Sequence, residues 1–313
     1  MTSLTDLFLR KGADRRLRGG HLWVYSNEVD SDRSPLPGFA AGDPVAVRSA
    51  DGRLLGSAYM EPNALICARV YAPRRECAPD DALFTDALRQ ALSLRQRFFQ
   101  QPFYRLVYGD SDLLPGLVID RFGDYLVMQL NNAGIERYEP ALLAALVDLL
   151  QPAGVLLRAD SRARREQNLD DRVEVVYGEV PEVVALEENG VRFEAPVHGG
   201  QKTGWFYDHR LSRARLQQLV DGRDVLDVYS YIGGWGVQAA VAGASSVCCI
   251  DSSEAALEGA LRNADLNGVG ASVRVAPGRA DAVMQALAGE GERFDVVVLD
   301  PPAFIQRRRD LKK

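Results

Sequence analysis

The sequence predicts an α/β chain: a doubly wound, Rossmann-like domain at the C-terminal end, preceded by a β-rich module and an α+β middle region. Three observations carry this. From residue 203 onward, apolar strands and helices alternate strictly, the mark of a parallel sheet covered on both faces. Residues 1–72 instead hold short alternating stretches broken by turn residues, as in a small barrel or sandwich. At 313 residues the chain has room for two or three domains. The expected division is 1–72, 73–195 and 196–313.

In the first region, "DPVAVRSADGRLLGSAYM" (43–60) reads as a hairpin: Val45 and Val47 alternate with smaller residues, Asp51-Gly52 makes the turn, and Leu55 to Tyr59 return. "HLWVYSNEV" (21–29) and "LICARVYA" (65–72) supply further strands. "APRRECAPDD" (72–81), with two prolines and many charges, marks a boundary, and Asp80 or Asp81 caps a helix over 82–100. Its apolar stripe is expected to be Leu83, Ala87, Leu88, Ala91, Leu94 and Phe98. Strands separated by Gly-Asp turns follow over 104–132, then an amphipathic helix over 136–151 and a strand over 154–160. In the last region, strands are expected at 224–229, 246–251, 272–277 and 294–300, with helices between them and one over 207–220 in front.

Bulk properties exclude several classes. No apolar run approaches the roughly 20 residues that span a bilayer, and no signal-peptide core is evident, so a cytoplasmic protein is expected. Cys67, Cys77, Cys248 and Cys249 fit no metal spacing, and His21, His198 and His209 lie far apart, so no metal site is expected. A net charge of −6 argues against a nucleic-acid coat over the whole surface, but not against a local basic face. Positive charge gathers at 10–20, 158–168 and 306–313. Each cluster alone reads as a solvated face; the three together leave an anionic partner open.

The chemistry concentrates at the ends of the last region's strands. In "VLDVYSYIGGWG" (225–236), a strand closes near a carboxylate and glycines lead into a helix, where open α/β sheets bind nucleotide-like cofactors. Gly234-x-Gly236-x-x-Ala239 formally matches a dinucleotide fingerprint, with Asp251 closing the next strand as the ribose acid. The details favour S-adenosyl-L-methionine (SAM) over NAD. Asp227 is wrong for a pyrophosphate but suits an ammonium, and five residues separate it from Gly233. Gly233 and Gly234 would let the backbone approach a ribose, Asp251 would accept its hydroxyls, and Asp281 would approach the adenine edge. "LDPPAF" (299–304) adds a stiff loop in which Pro301 and Pro302 donate no hydrogen bonds, holding carbonyls and Phe304 beside the transferable methyl. Asn-Pro-Pro is the usual arrangement for methylating an exocyclic amine; Asp300 points to another atom.

Together, "RRLRGGHLWVYSNEV", "GLVIDRFGDYLVMQLNNAGIE", "GGQKTGWFYDHR", "DVYSYIGGWG", "CIDSSEAALEGALRNADLNG" and "FDVVVLDPPAFIQ" resemble SAM-dependent 23S ribosomal RNA methyltransferases with an N-terminal PUA domain. The best-known members methylate cytosine C5. The resemblance spans essentially the whole chain and implies a class I SAM methyltransferase fold. It implies Asp227, Ser230, Gly233 and Gly234 on the methionine and ribose side, Asp251 and Ser252 at the ribose, Asp281 at the adenine, and Asp300 beside methyl and base. Gln201, Lys202 and Thr203 would fold over the cofactor, with Asp208 and Arg210 either anchoring that cover or forming a helix-end salt link. Lys11, Arg15, Arg16 and Arg18 would contact RNA phosphates. The partner implied is 23S rRNA or a large-subunit assembly intermediate; a homodimer stays open. Ala303 departs from the family, where lysine is common.

The resemblance also implies a cysteine nucleophile in a Ser-Cys-Ser segment beyond Asp-Pro-Pro, because C5 attacks only after a thiolate has added to C6. None of the four cysteines is placed for this. The sequence is therefore expected to be an incomplete methyltransferase, with an unpaired sheet edge beside "VVVLD". Other readings stay open: the same fold acting on a guanine nitrogen, an RNA-binding assembly factor with a vestigial pocket, and, last, an NAD-dependent oxidoreductase.

Overall fold

The computed structural model describes residues 4–201 and 203–302 and divides into two compact units between Pro181 and Glu182. The first unit holds two five-stranded sheets. One runs, in spatial order, Thr5–Phe8, Pro44–Arg48, Leu54–Met60, Ile66–Pro73 and Trp23–Tyr25. Its central hairpin turns at Asp51-Gly52, where Gly52 takes φ +86°, a left-handed value that glycine adopts without steric cost. The other sheet runs Arg172–Gly178, Gly154–Ala159, Tyr125–Leu130, Leu117–Phe122 and Phe103–Tyr108.

The Asp80 side chain caps the helix Asp81–Phe98, accepting from Leu83 N–H at 2.8 Å. The buried arc of this helix is rotated from the expected stripe. It centres on Phe84, Leu88 and Ala91, which leaves Leu94 on its flank and Phe98 exposed in the last turn. Tyr59, Tyr71 and Ala72 of the first sheet share one core with Phe84, Leu88 and Leu106. That shared core explains why the chain shows no break between units near residue 72.

Two basic clusters are also settled locally. At 158–168, Arg158 pairs with Asp160, Arg162 with Glu166 and Arg165 with Asp171. Arg164 is buried against Glu136 at 2.7 Å and the carbonyls of Leu130 and Asp170. This cluster is internally neutralised rather than a free basic face. In the first cluster, Arg18 pairs with Asp14, and Arg16 lies 3.5 Å from Glu28 with its guanidinium over the Tyr25 ring. Lys11 and Arg15 are exposed and make no ion pair among the described residues. The cluster at 306–313 lies outside those residues.

The second unit, labelled from its own first strand, opens with an antiparallel hairpin, β1 (Val183–Glu188) and β2 (Val191–Pro196). Helix α1 (Arg210–Gln217) precedes β3 (Asp224–Val228), α2 (Gly236–Val241), β4 (Ser246–Asp251), α3 (Glu254–Leu266), β5 (Val273–Pro277), α4 (Ala280–Gly289) and β6 (Val296–Leu299). The four later strands are parallel in the order β5-β4-β3-β6. Expansion of the sheet reverses between β3 and β6, and such a switch point opens a crevice at the carboxyl ends of the strands. β6 is an edge among the described residues, with Val297 and Leu299 exposed.

Residues up to 195 were expected in the middle region; those of the β1–β2 hairpin belong instead to this unit. Asn263 on α3 and Asn267, which caps its C-terminal end, bind the hairpin's outer edge. Asn263 Oδ1 accepts from Glu194 N–H at 2.8 Å, and Asn267 Oδ1 accepts from Arg192 N–H at 3.1 Å. No described helix is long and apolar enough to cross a membrane.

Candidate cofactor and active site

The site begins where β3 ends. Tyr229 and Tyr231 both take left-handed backbone conformations, φ +67° and +51°. Such positions are strained for side chains of this kind by about 1–3 kcal/mol each, and the surroundings must hold them. Here the holding group is Asp251, at the end of β4: its Oδ2 accepts from Tyr231 N–H and its Oδ1 from Ser253 N–H, both at 2.9 Å. Each oxygen keeps lone-pair capacity for a ligand. The Tyr231 hydroxyl accepts from Gln201 N–H at 3.2 Å, and its ring meets Phe206 edge-on, so the loop carries the segment entering from residue 201.

Over this floor lies a cavity of about 850 Å³. Of the residues expected there, Gln201, Ser230, Gly234, Asp251, Ser252, Asp281, Asp300, Pro301 and Pro302 do line it. Asp281 pairs with Arg279 at 3.0 Å, and that hydrogen bond holds its carboxyl below the ordinary range.

Three other expected residues sit behind the wall. Asp227 is fully buried, with Oδ2 accepting from Gly236 N–H at 2.8 Å, so it ties the loop to the start of α2 instead of facing a ligand. Burial pushes its carboxyl up to about 7, with Asp300 and Asp251 adding to the rise. Gly233 takes φ +79°, and a Cβ there would lie 2.8 Å from Val237 and 3.0 Å from Ala260; its small size serves helix packing. Thr203 is buried, its hydroxyl donating to the Trp205 carbonyl at 3.4 Å. Lys202 and Phe304 lie outside the described residues.

Sequence reasoning passed over several residues that line the cavity. Asp300 Oδ2 accepts from Trp235 Nε1 and is within 3.3 Å of His209 Nε2. Two groups thus hold one oxygen while the carboxylate still faces the cavity. Arg213 also lines it, buried between Trp205 and Trp235 and paired with Glu188 at the end of β1. A signal was present for two of these: His209 and Arg213 are four residues apart, on one face of the same helical turn. Asp208, singled out earlier, is exposed, and Arg210 turns to the Glu187 carbonyl at 3.5 Å. No thiol lines the cavity among the described residues. Cys248 and Cys249 are buried in β4, where burial raises both thiols, and burial pushes the Cys67 thiol up to about 12.

Two family models match the chain. A PUA-like domain matches residues 7–73, and an S-adenosylmethionine-dependent methyltransferase domain matches residues 142–311. Ribosomal RNA large subunit methyltransferase I of Vibrio cholerae is 37% identical, over 97% of this chain and 78% of its own length. The chain belongs to the ribosomal RNA large subunit methyltransferase I family. The Tolumonas auensis member is 34% identical over 98% of this chain and 78% of its own length. Among solved structures, a Streptococcus mutans protein described as a candidate SAM-dependent methyltransferase superposes with a TM-score of 0.83 at 20% identity. That match covers 98% of this chain and 81% of the other. A further candidate methyltransferase, solved with S-adenosylhomocysteine (SAH), gives 0.84 at 21% identity over 98% and 78%. At these identities the two structures support the fold: a Rossmann-like methyltransferase domain preceded by a PUA-like one.

The cofactor of this family's catalytic domain is SAM, and the residues present fit it. The cavity is of ligand size, its walls carry acids suited to a sulfonium and to ribose hydroxyls, and the buried Ser230 hydroxyl has no hydrogen-bond partner among the described residues.

Proposed function

We propose that the chain methylates a base of large-subunit (23S) rRNA, with C5 of a cytosine as the target atom. The observation that carries this reading is that Asp251, Asp281 and Asp300 line one cavity across the switch point. Asp251, with Ser252, would accept the ribose hydroxyls, and Asp281 would meet the adenine edge. Ser230 and Gly234 would flank the methionine side, with Gln201 and Lys202 contributing a cover above, while the buried Thr203 would support that cover from behind. SAM supplies an electrophilic methyl group on sulfur. Asp300, held by Trp235 and His209, would face the target base with Pro301 and Pro302 as the wall beside it, and Phe304 is proposed as a further wall.

Lys11, Arg15, Arg16 and Arg18 would contact RNA phosphates, and a base extruded from the RNA would enter the cavity. The substrate would be 23S rRNA or a large-subunit assembly intermediate.

The C5 reading makes a chemical demand, since a thiolate must add to C6 before C5 can attack. The lack of a thiol at the cavity among the described residues favours a second reading, methyl transfer to a guanine nitrogen, which needs none. Incubation of the chain with large-subunit rRNA and labelled SAM, followed by mass analysis of the nucleosides, separates the two. 5-Methylcytidine would support the first reading and require one of Cys67, Cys77, Cys248 and Cys249 to reach the base, whereas a methylguanosine would move the assignment to the second reading. SAM binding with no labelled nucleoside would favour a non-catalytic assembly factor.

A further inference from the structure

Arg213 is 3% exposed, yet its guanidinium is only partly satisfied. Nη1 donates to Glu188 Oε1 at 2.8 Å and to the Phe206 carbonyl at 3.1 Å. Nε is sealed from solvent with no partner, and Nη2 has no hydrogen bond among the described residues. The group cannot swing to find one. Its Cζ lies 4.6 Å from the Trp205 ring centre and 5.5 Å from that of Trp235. Glu188 is equally fixed, because it also accepts from Trp205 Nε1 at 3.1 Å and Gln238 Nε2 at 3.0 Å. A buried donor left open is costly unless a ligand completes it.

The surroundings narrow the ligand. Arg213 is part of the cavity wall, and the other walls are acidic: Asp251, Asp281 and Asp300 line it, with Asp227 behind. The other arginine there, Arg279, is committed to Asp281, and the His209 imidazole lies against Asp300. SAM carries a sulfonium, an ammonium and one carboxylate. Its cations suit the acids; its carboxylate would be repelled everywhere except beside Arg213. Gly234 leaves the approach open, since a Cβ there would sit 3.2 Å from Nη2 and 3.3 Å from Trp205.

We propose that Arg213 binds the α-carboxylate of the cofactor's amino-acid end, and that Glu188 is the positioning residue that aims it. The assignment rests on the SAM reading of the cavity and adds the one contact that reading lacked, a partner for the ligand's anion. It also gives the β1–β2 hairpin a function, because Glu188 brings that hairpin into the cofactor site.

Calorimetry with SAH and with its decarboxylated analogue, in which the amine is kept, tests this without any turnover. The wild-type chain is expected to bind the analogue about ten- to a hundredfold more weakly, as for a lost charge-assisted hydrogen bond. Arg213→Met combined with Glu188→Gln removes both buried charges together, so neither is stranded, and should bind the two ligands alike. A wild type that does not distinguish them, or a double variant that still does, overturns the proposal and leaves the cofactor reading standing. Failure of the wild type to bind either nucleoside would remove the cofactor reading, and this assignment with it.

Discussion

Asp227 accepts one backbone hydrogen bond through Oδ2, while its buried Oδ1 has no partner among the described residues. Burial is the main cause of its raised titration, to about 7, and the nearby carboxylates of Asp300 and Asp251 act the same way. An unfolded aspartate titrates near pH ~4, so between about pH 4 and 7 the folded state holds a proton that the unfolded state releases. The stability from protonated Asp227 is therefore full below about pH 4 and is lost as pH rises through about 7. Asp227→Asn keeps a carbonyl oxygen for Gly236 and should lack this slope. In melting series from about pH 4.5 to 7.5, wild type should fall relative to the variant; a constant difference would show that Asp227 stays ionised throughout. Its neighbour Asp251 does the opposite job: held by two amides, it is displayed rather than hidden.

Elements here are joined by side chains standing in for backbone. Asn263 of α3 accepts from Glu194 N–H on β2 and donates to the Ile232 carbonyl at 3.0 Å, wholly within the core. Asn263→Ala should destabilise the second unit by about 1–3 kcal/mol for each buried group left unpaired. Urea melts would read this as a lower midpoint at an unchanged slope, and an unaltered midpoint would mean water replaces the amide. Such links also mark the limit of what the sequence discloses. Strand ends carrying Asp251 and Asp300 were legible, because alternation and acids at fixed places in a βα repeat are local patterns. The hairpin's allegiance was not, since Asn263 lies 69 residues from the strand edge it satisfies. The Glu188–Arg213 pair was hidden for the same reason. Asp227 was misjudged because its position at a strand end is visible in sequence, but the direction its carboxylate faces is not.

At the scale of the molecule, charge on the PUA-like module is less available than its sequence implies. Arg16 and Arg18 already face Glu28 and Asp14, so of the four residues proposed to meet phosphate, Lys11 and Arg15 are the two without an ion pair among the described residues. Replacing both with alanine should reduce the steepness of the log K against log salt plot for rRNA binding by up to about two phosphate contacts. An unchanged slope would put the RNA on another surface. The strand order has a consequence in time as well. Because β6 lies against β3, the acid pair Asp251 and Asp300 spans a crevice whose second wall is made some fifty residues after the first. On a translating ribosome, which releases the N-terminal parts first, the growing polypeptide would carry a finished PUA-like module long before it could capture a nucleoside.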